Sequence, residues 1–246
     1  MKTGFLLALV LLALEAGASG VNIAVASNFV APTRDIAALF AAESGRDINV
    51  VSGASGKFYA QIRQQAPFAV FLSADQARPR QLADDGLILP GSLRTYAVGR
   101  LVLYSRDGNR VTGPVSLRDS FRRLAMANPR VAPYGRAASE VIEELSLGEA
   151  LDNRVVQGEN VAQAFQFVRS GNAELGFVAL SQVRQFDNGS GSFWRVPSEL
   201  HSPILQDAVV LRGPDEALGL AFLDFLETAA AREIITRYGY QVPVID

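Results

Sequence analysis

Val50-Val51-Ser52-Gly53-Ala54-Ser55-Gly56-Lys57-Phe58-Tyr59 passes from an apolar β-type segment through small residues into a helical pattern. Gly53 and Gly56 let the backbone turn tightly and approach a ligand closely. Ser55 stands where an N-cap or first-turn residue belongs, with Phe58 and Ile62 following on one helical face. A helix start carries unpaired N–H groups and partial positive charge, so it receives anions readily.

The same strand-to-helix turn occurs four times. Ile23-Ala-Val-Ala-Ser27-Asn28 ends a strand and leads to a helix with Pro32 in its first turn. Leu124-Ala-Met-Ala-Asn128, followed by Val131-Ala-Pro-Tyr134-Gly135, leads to a helix over Ala137 to Leu145. Val155-Val-Gln-Gly158-Glu-Asn-Val161 leads to a helix with Phe165 and Val168 on its apolar face. Four turns built of small and polar residues point to a cleft lined by N–H and hydroxyl donors.

Around these turns strands and helices alternate. Strands are predicted at Val21–Ala26, Ile48–Val51 and Phe68–Leu72, and helices at Thr33–Glu43, Lys57–Gln65 and Ala77–Asp84. After a long apolar strand at Val98–Tyr104 and a polar loop over 106–114, the alternation resumes. Its strands are Leu124–Ala127, Arg154–Gln157 and Leu175–Ala179, then Ile204–Leu211 before closing helices over Asp215–Arg237. Such βαβ units imply an α/β fold with mainly parallel sheets. Two blocks separated by two apolar strands, Val98–Tyr104 and Leu205–Leu211, predict two lobes on a two-strand hinge. The ligand cleft is expected between them, at the carboxyl ends of strands. Lobe I is assigned to residues 21–98 and 209–246, and lobe II to 99–208.

Composition narrows the possibilities. Apolar residues are 49% and charged ones 20% of 246, which supports a sizeable core. A net charge of −2 disfavours nucleic acid and anionic membrane surfaces as partners. Lys2, the apolar run Phe5–Leu14 and Ala16-Gly-Ala18 describe a signal peptide over 1–20, so the protein is expected to be periplasmic. Cysteine is absent, which excludes disulfides, thiolate chemistry and a lipid-anchoring cysteine.

No enzyme motif is complete. The nucleophile elbow would need Gly at 57, which is Lys; the phosphate loop would need Gly at 51 and Ser or Thr at 58, which are Val and Phe. His201 is the sole histidine, on a loop near the hinge. Asp75 suits a helix N-cap, and Asp84-Asp85 and Glu143-Glu144 suit solvated helix surface better than a metal site. Lys57 is the one cation near a candidate turn, placed either to attract anions or to face solvent. Asn188-Gly-Ser190 matches a glycosylation sequon.

Across residues 21–244 the chain resembles the periplasmic molybdate-binding proteins of ABC transporters, the ModA family. The resemblance is carried by Ala24-Val-Ala-Ser-Asn28, Gly53-Ala-Ser-Gly-Lys-Phe-Tyr-Ala-Gln-Ile62, Phe71-Leu-Ser-Ala-Asp75, Ala132-Pro-Tyr-Gly-Arg-Ala-Ala138 and Gly176-Phe-Val-Ala-Leu-Ser181. It implies a type II periplasmic-binding-protein fold in which neutral donors hold one tetrahedral oxyanion, molybdate or tungstate. The implied contacts are Ser27, Asn28 and Ser55, with Tyr134 and Val161 acting through their backbone N–H groups. It also implies no catalysis, no cofactor, no direct metal-ion ligand, a monomer, and a membrane permease as partner. Two departures stand out. Ala179 replaces a tyrosine that some members use, and Ala69 stands where the family usually has aspartate. The alternatives are a binder of sulfate or chromate, an oxyanion sensor signalling to a membrane partner, and a secreted serine hydrolase using Ser55 with His201.

Overall fold

The computed structural model describes residues 20–187 and 189–243; the expected signal peptide up to residue 19 and Asn188 of the sequon lie outside the described residues. The chain begins β1 (Val21–Ala26), α1 (Val30–Ser44), β2 (Ile48–Gly53), α2 (Ser55–Arg63), β3 (Val70–Leu72), α3 (Ala77–Asp84) and β4 (Arg94–Gly99). It continues through β5 (Leu101–Ser105), β6 (Leu124–Ala127), α4 (Pro133–Glu144), α5 (Gly148–Leu151), β7 (Val155–Gly158), α6 (Val161–Arg169), β8 (Leu175–Ala179), α7 (Leu180–Phe186) and β9 (Ser192–Arg195). It closes with β10 (Ile204–Val210), α8 (Glu216–Phe225) and α9 (Ala229–Arg237).

Two five-stranded sheets result, ordered β2-β1-β3-β10-β4 and β7-β6-β8-β5-β9. Each is mixed. In the first, β1 runs parallel to β2 and β3, while β10 is antiparallel to β3 and β4. In the second, β6 runs parallel to β7 and β8, while β5 is antiparallel to β8 and β9. The antiparallel pairings come from strands next to the two crossings between the sheets, where the chain returns instead of looping over by a helix.

Alternation sorts the first lobe's core. Ile23, Val25, Val70 and Leu72 pack with Phe29, Ile36, Phe40 and Phe222 on one face. Ala24 and Phe71 pack with Phe58, Ile62 and Leu82 on the other. Burial on both faces explains why Ile23–Ala26 and Val70–Leu72 are continuously apolar.

The expected strand Val98–Tyr104 is two strands that part at Arg100. Gly99 ends β4 in the first sheet, Leu101 begins β5 in the second, and the Arg100 carbonyl accepts the Leu180 N–H at 3.0 Å. In the sequence, Gly99-Arg100 interrupts the apolar residues at the point where the chain changes sheet. The return crossing spans 196–203, and β10 pairs along its whole length within the first sheet. Residues 204–208, assigned to lobe II on sequence, therefore sit in the first lobe, and Gly99 does too. A β-bulge between Gln206 and Asp207 shifts the register of β10 against β4.

Candidate functional site

β1, β2, β6 and β7 end side by side at the inner edges of the two sheets, each feeding a helix. Within each lobe one backbone bond ties the two turns together: Ser27 N–H to Gly53 O at 2.9 Å in the first, and Asn128 N–H to Gly158 O at 2.7 Å in the second. Across the cleft, Gly56 N–H donates to Val131 O at 3.0 Å, and Ala162 N–H donates to Ser27 Oγ at 3.4 Å. The lobes are thus in contact around the turns.

Glycine allows close approach at two of the helix starts. A Cβ on Gly135 would lie 2.2 Å from Ala127 O, and one on Gly56 would lie 3.1 Å from the Val131 backbone. Pro133 opens α4 at a position that needs no N–H donor, four residues earlier than the expected start at Ala137. Asn160 caps α6 by accepting the Gln163 N–H at 3.1 Å.

All five residues implied by the resemblance gather here, none more than 9% exposed. Ser55, Tyr134 and Val161 stand in first turns, where N–H groups have no intrahelical acceptor. Among the described residues, neither these three N–H groups nor that of Asn28 donates to a protein acceptor. The two serines add hydroxyls. Ser55 Oγ accepts the Ala74 N–H at 2.9 Å and Ser27 Oγ accepts that of Ala162, so each hydroxyl hydrogen is left to donate elsewhere.

The Asn28 side chain serves the scaffold instead. Its Nδ2 donates to Gln206 Oε1 at 2.9 Å and to the Tyr240 hydroxyl at 3.1 Å. The Asn28 backbone carbonyl accepts the Tyr240 hydroxyl at 2.6 Å and the Ser181 hydroxyl at 2.9 Å. Tyr96 donates to Gln206 Oε1 at 3.0 Å, and the Phe29 ring packs edge-on against Tyr96 and Tyr240. Burial pushes the Tyr240 hydroxyl up to about 12 and raises Tyr96 and Tyr134 well above the usual tyrosine value. These three tyrosines behind the donors therefore stay neutral at any physiological pH. Gln182 closes the opposite side, accepting the Ala179 N–H at 3.0 Å and donating to Val161 O at 3.2 Å.

The charged groups Lys57 and Asp75 around the donors are paired. Lys57 pairs with Glu159 across the cleft at 2.8 Å. Asp75 lies one residue before Gln76, which holds the N-cap position expected of Asp75; it accepts the Arg78 N–H at 3.1 Å, and its carboxylate pairs with the Arg78 side chain and with Arg136 of the other lobe at 4.0 Å. His201 Nδ1 contacts Ser202 O at 2.7 Å, and its ring makes no hydrogen bond to Ser55 among the described residues. A nucleophile–base pair needs that bond. No group of three or more His, Asp or Glu able to hold a metal ion occurs among the described residues.

Both departures have a place. Ala179 ends β8 beside Gln182, where its N–H is already paired. Ala69 precedes β3, at the opposite end of the first sheet from the donors, and its carbonyl would lie 3.2 Å from a Cβ on Gly219 of α8. Tyr240, Gln206 and Gln182 were not singled out on sequence, because nothing local distinguishes them from ordinary core and surface residues.

The family model described as bacterial extracellular solute-binding protein matches residues 21–241. The molybdate-binding protein ModA of Rhodobacter capsulatus is 49% identical over 95% of this chain and 93% of its own length. That of Azotobacter vinelandii is 47% identical over 94% and 93%. Among solved structures, the Azotobacter vinelandii periplasmic molybdate-binding protein superposes with a TM-score of 0.87 at 36% identity, covering 91% of this chain and 100% of that one.

Proposed function

The chain belongs to the bacterial extracellular solute-binding proteins, within the molybdate-binding ModA family, and on that premise we propose that it captures molybdate between its lobes and delivers it to an ABC transporter. It is a binding protein and not an enzyme, as its relatives are. The observation that carries the proposal is the set of buried neutral donors: the N–H groups of Asn28, Ser55, Tyr134 and Val161 and the hydroxyls of Ser27 and Ser55.

An oxyanion taken out of water is costly unless its oxygens are hydrogen-bonded. Charge-assisted hydrogen bonds contribute about 1.5–3 kcal/mol each. Six of them, less ordering and desolvation, leave about 8–12 kcal/mol, a micromolar to nanomolar Kd. Donors without acceptors favour a fully deprotonated dianion over hydrogen phosphate, whose proton would find no partner. Cavity size separates molybdate from the smaller sulfate. Tungstate, nearly the size of molybdate, is expected to bind as well. The protein acts in the periplasm as a monomer that meets the membrane permease, its first 20 residues serving as the export signal.

Isothermal titration with molybdate, tungstate, sulfate and phosphate tests this. Tight 1:1 binding of the first two alone is expected. Sulfate binding in their place would keep the donors but overturn the substrate, and no binding at all would overturn the site.

A further inference from the structure

A cavity of about 220 Å³ opens from the side of the cleft directly onto Ser27 and Asn28. Its walls carry Arg34 from α1 of the first lobe and Arg169 from α6 of the second, and no carboxylate lines it. We propose that this cavity is an anion-capture vestibule, in which Arg34 and Arg169 draw the oxyanion in before the buried neutral donors take it. The proposal rests on the oxyanion-binding function and adds to it a kinetic site separate from the donors.

What distinguishes these two arginines is that both line the same cavity, one from each lobe. Lys57, Arg78 and Arg136 each face a carboxylate, Glu159 or Asp75. Arg34 and Arg169 have no carboxylate partner among the described residues. Arg169 is held in place by aromatic rings, its guanidinium 4.7 Å from the Phe186 centroid and 5.9 Å from that of Phe165. Stacking on a ring orients a guanidinium without neutralising it. Two uncompensated positive charges therefore stand on opposite lobes above a neutral floor.

The arrangement suits capture. The chain as a whole carries a net charge of −2, which repels a dianion at a distance. A cleft lined by one sign of charge focuses the field and raises on-rates by about 10- to 1,000-fold in strong cases. Both arginines are exposed, so their reach is cut by salt within a Debye length of about 10 Å at 0.1 M. They act on the rate of arrival. Selection among anions stays with the buried donors, which carry no charge of their own.

Rapid filtration with radiolabelled molybdate measures association and dissociation for the unaltered chain, for Arg34→Gln with Arg169→Gln, and for Arg46→Gln as a control. Arg46 is exposed just beyond the far end of α1, about 18 Å along the helix from Arg34. The double variant is expected to associate at least about threefold more slowly at about 10 mM salt. That gap should close at about 300 mM, where the Debye length is about 6 Å, with dissociation unchanged. Arg46→Gln should match the unaltered chain. Equal association rates for the double variant would overturn the vestibule. So would an equal loss in Arg46→Gln, or a loss that persists in high salt with faster dissociation. If the unaltered chain takes up no molybdate, the proposed function falls, and the vestibule with it.

Discussion

Ser55 Oγ accepts the backbone N–H of Ala74 at 2.9 Å, so the end of β3 aims the hydroxyl at the start of α2. With one lone pair engaged by Ala74, the O–H remains free to donate into the cleft. Ser55→Ala removes that donor and strands a buried N–H. Molybdate affinity measured by titration is expected to fall at least about tenfold, roughly the worth of one charge-assisted bond. Unchanged affinity would remove Ser55 from the site.

Tyr240→Phe deletes the 2.6 Å bond to the Asn28 carbonyl and the acceptor for Asn28 Nδ2. A loss of about 1–3 kcal/mol in unfolding free energy is expected, together with weaker molybdate binding because the Asn28 N–H is no longer held. Denaturant unfolding and titration check the two effects. Full affinity in this variant would mean that Gln206 and Ser181 suffice to fix Asn28.

Gly56→Ala should separate stability from binding. Alanine is preferred to glycine inside a helix by about 1 kcal/mol, but its Cβ would meet the Val131 backbone at 3.1 Å across the cleft. The ligand-free protein is expected to melt at the same temperature or higher, while affinity drops about tenfold, some 1.4 kcal/mol. Calorimetry of both forms decides it; unimpaired binding would show that the lobes close without that contact.

The Lys57–Glu159 pair is half exposed on both sides, so its contribution should be less than about 1 kcal/mol. Glu159→Gln is expected to weaken binding by less than about fivefold in low salt and not at all in high salt. A larger, salt-independent loss would mean that Glu159 does more than pair at the rim.

Alkali should unfold the protein through its buried tyrosines. The folded value of Tyr240, about 12, lies above the ordinary value of 10. The native state therefore holds its proton more tightly than the unfolded chain does. The stability from this group is complete below about pH 10 and is lost as pH rises towards 12, about 3 kcal/mol in all. The fall in melting temperature over that range should be shallower in Tyr240→Phe. An identical slope would assign the alkaline loss to Tyr96 and Tyr134.

The strands that face helices on both sides were legible because burial leaves them no polar positions, as in Val70-Phe71-Leu72. The four helix starts were legible through their small residues, and Ala77–Asp84 matched to the residue. β9 was not, because Ser192–Arg195 is a short, half-exposed strand at a sheet edge following a Gly-Ser turn. The parting of β4 from β5 is marked only by Gly99-Arg100, and two such residues do not tell a change of sheet from an irregularity within one strand. At the site, the donor residues could be read and their supports could not. Asn28 meets Gln206 and Tyr240 across 178 and 212 residues of sequence, and no local pattern reports a partner that far away.

That separation has a consequence for biogenesis. Asn28 is among the first folded residues to emerge, and the groups that fix it are among the last. With β10 and the turn after α9 still unmade, the first sheet lacks its fourth strand and Asn28 lacks both Gln206 and Tyr240. A partly made chain lacks the groups that hold Asn28 in place. Full support for the site is thus completed late in the chain, so a protein truncated before Tyr240 is expected to bind its cargo more weakly.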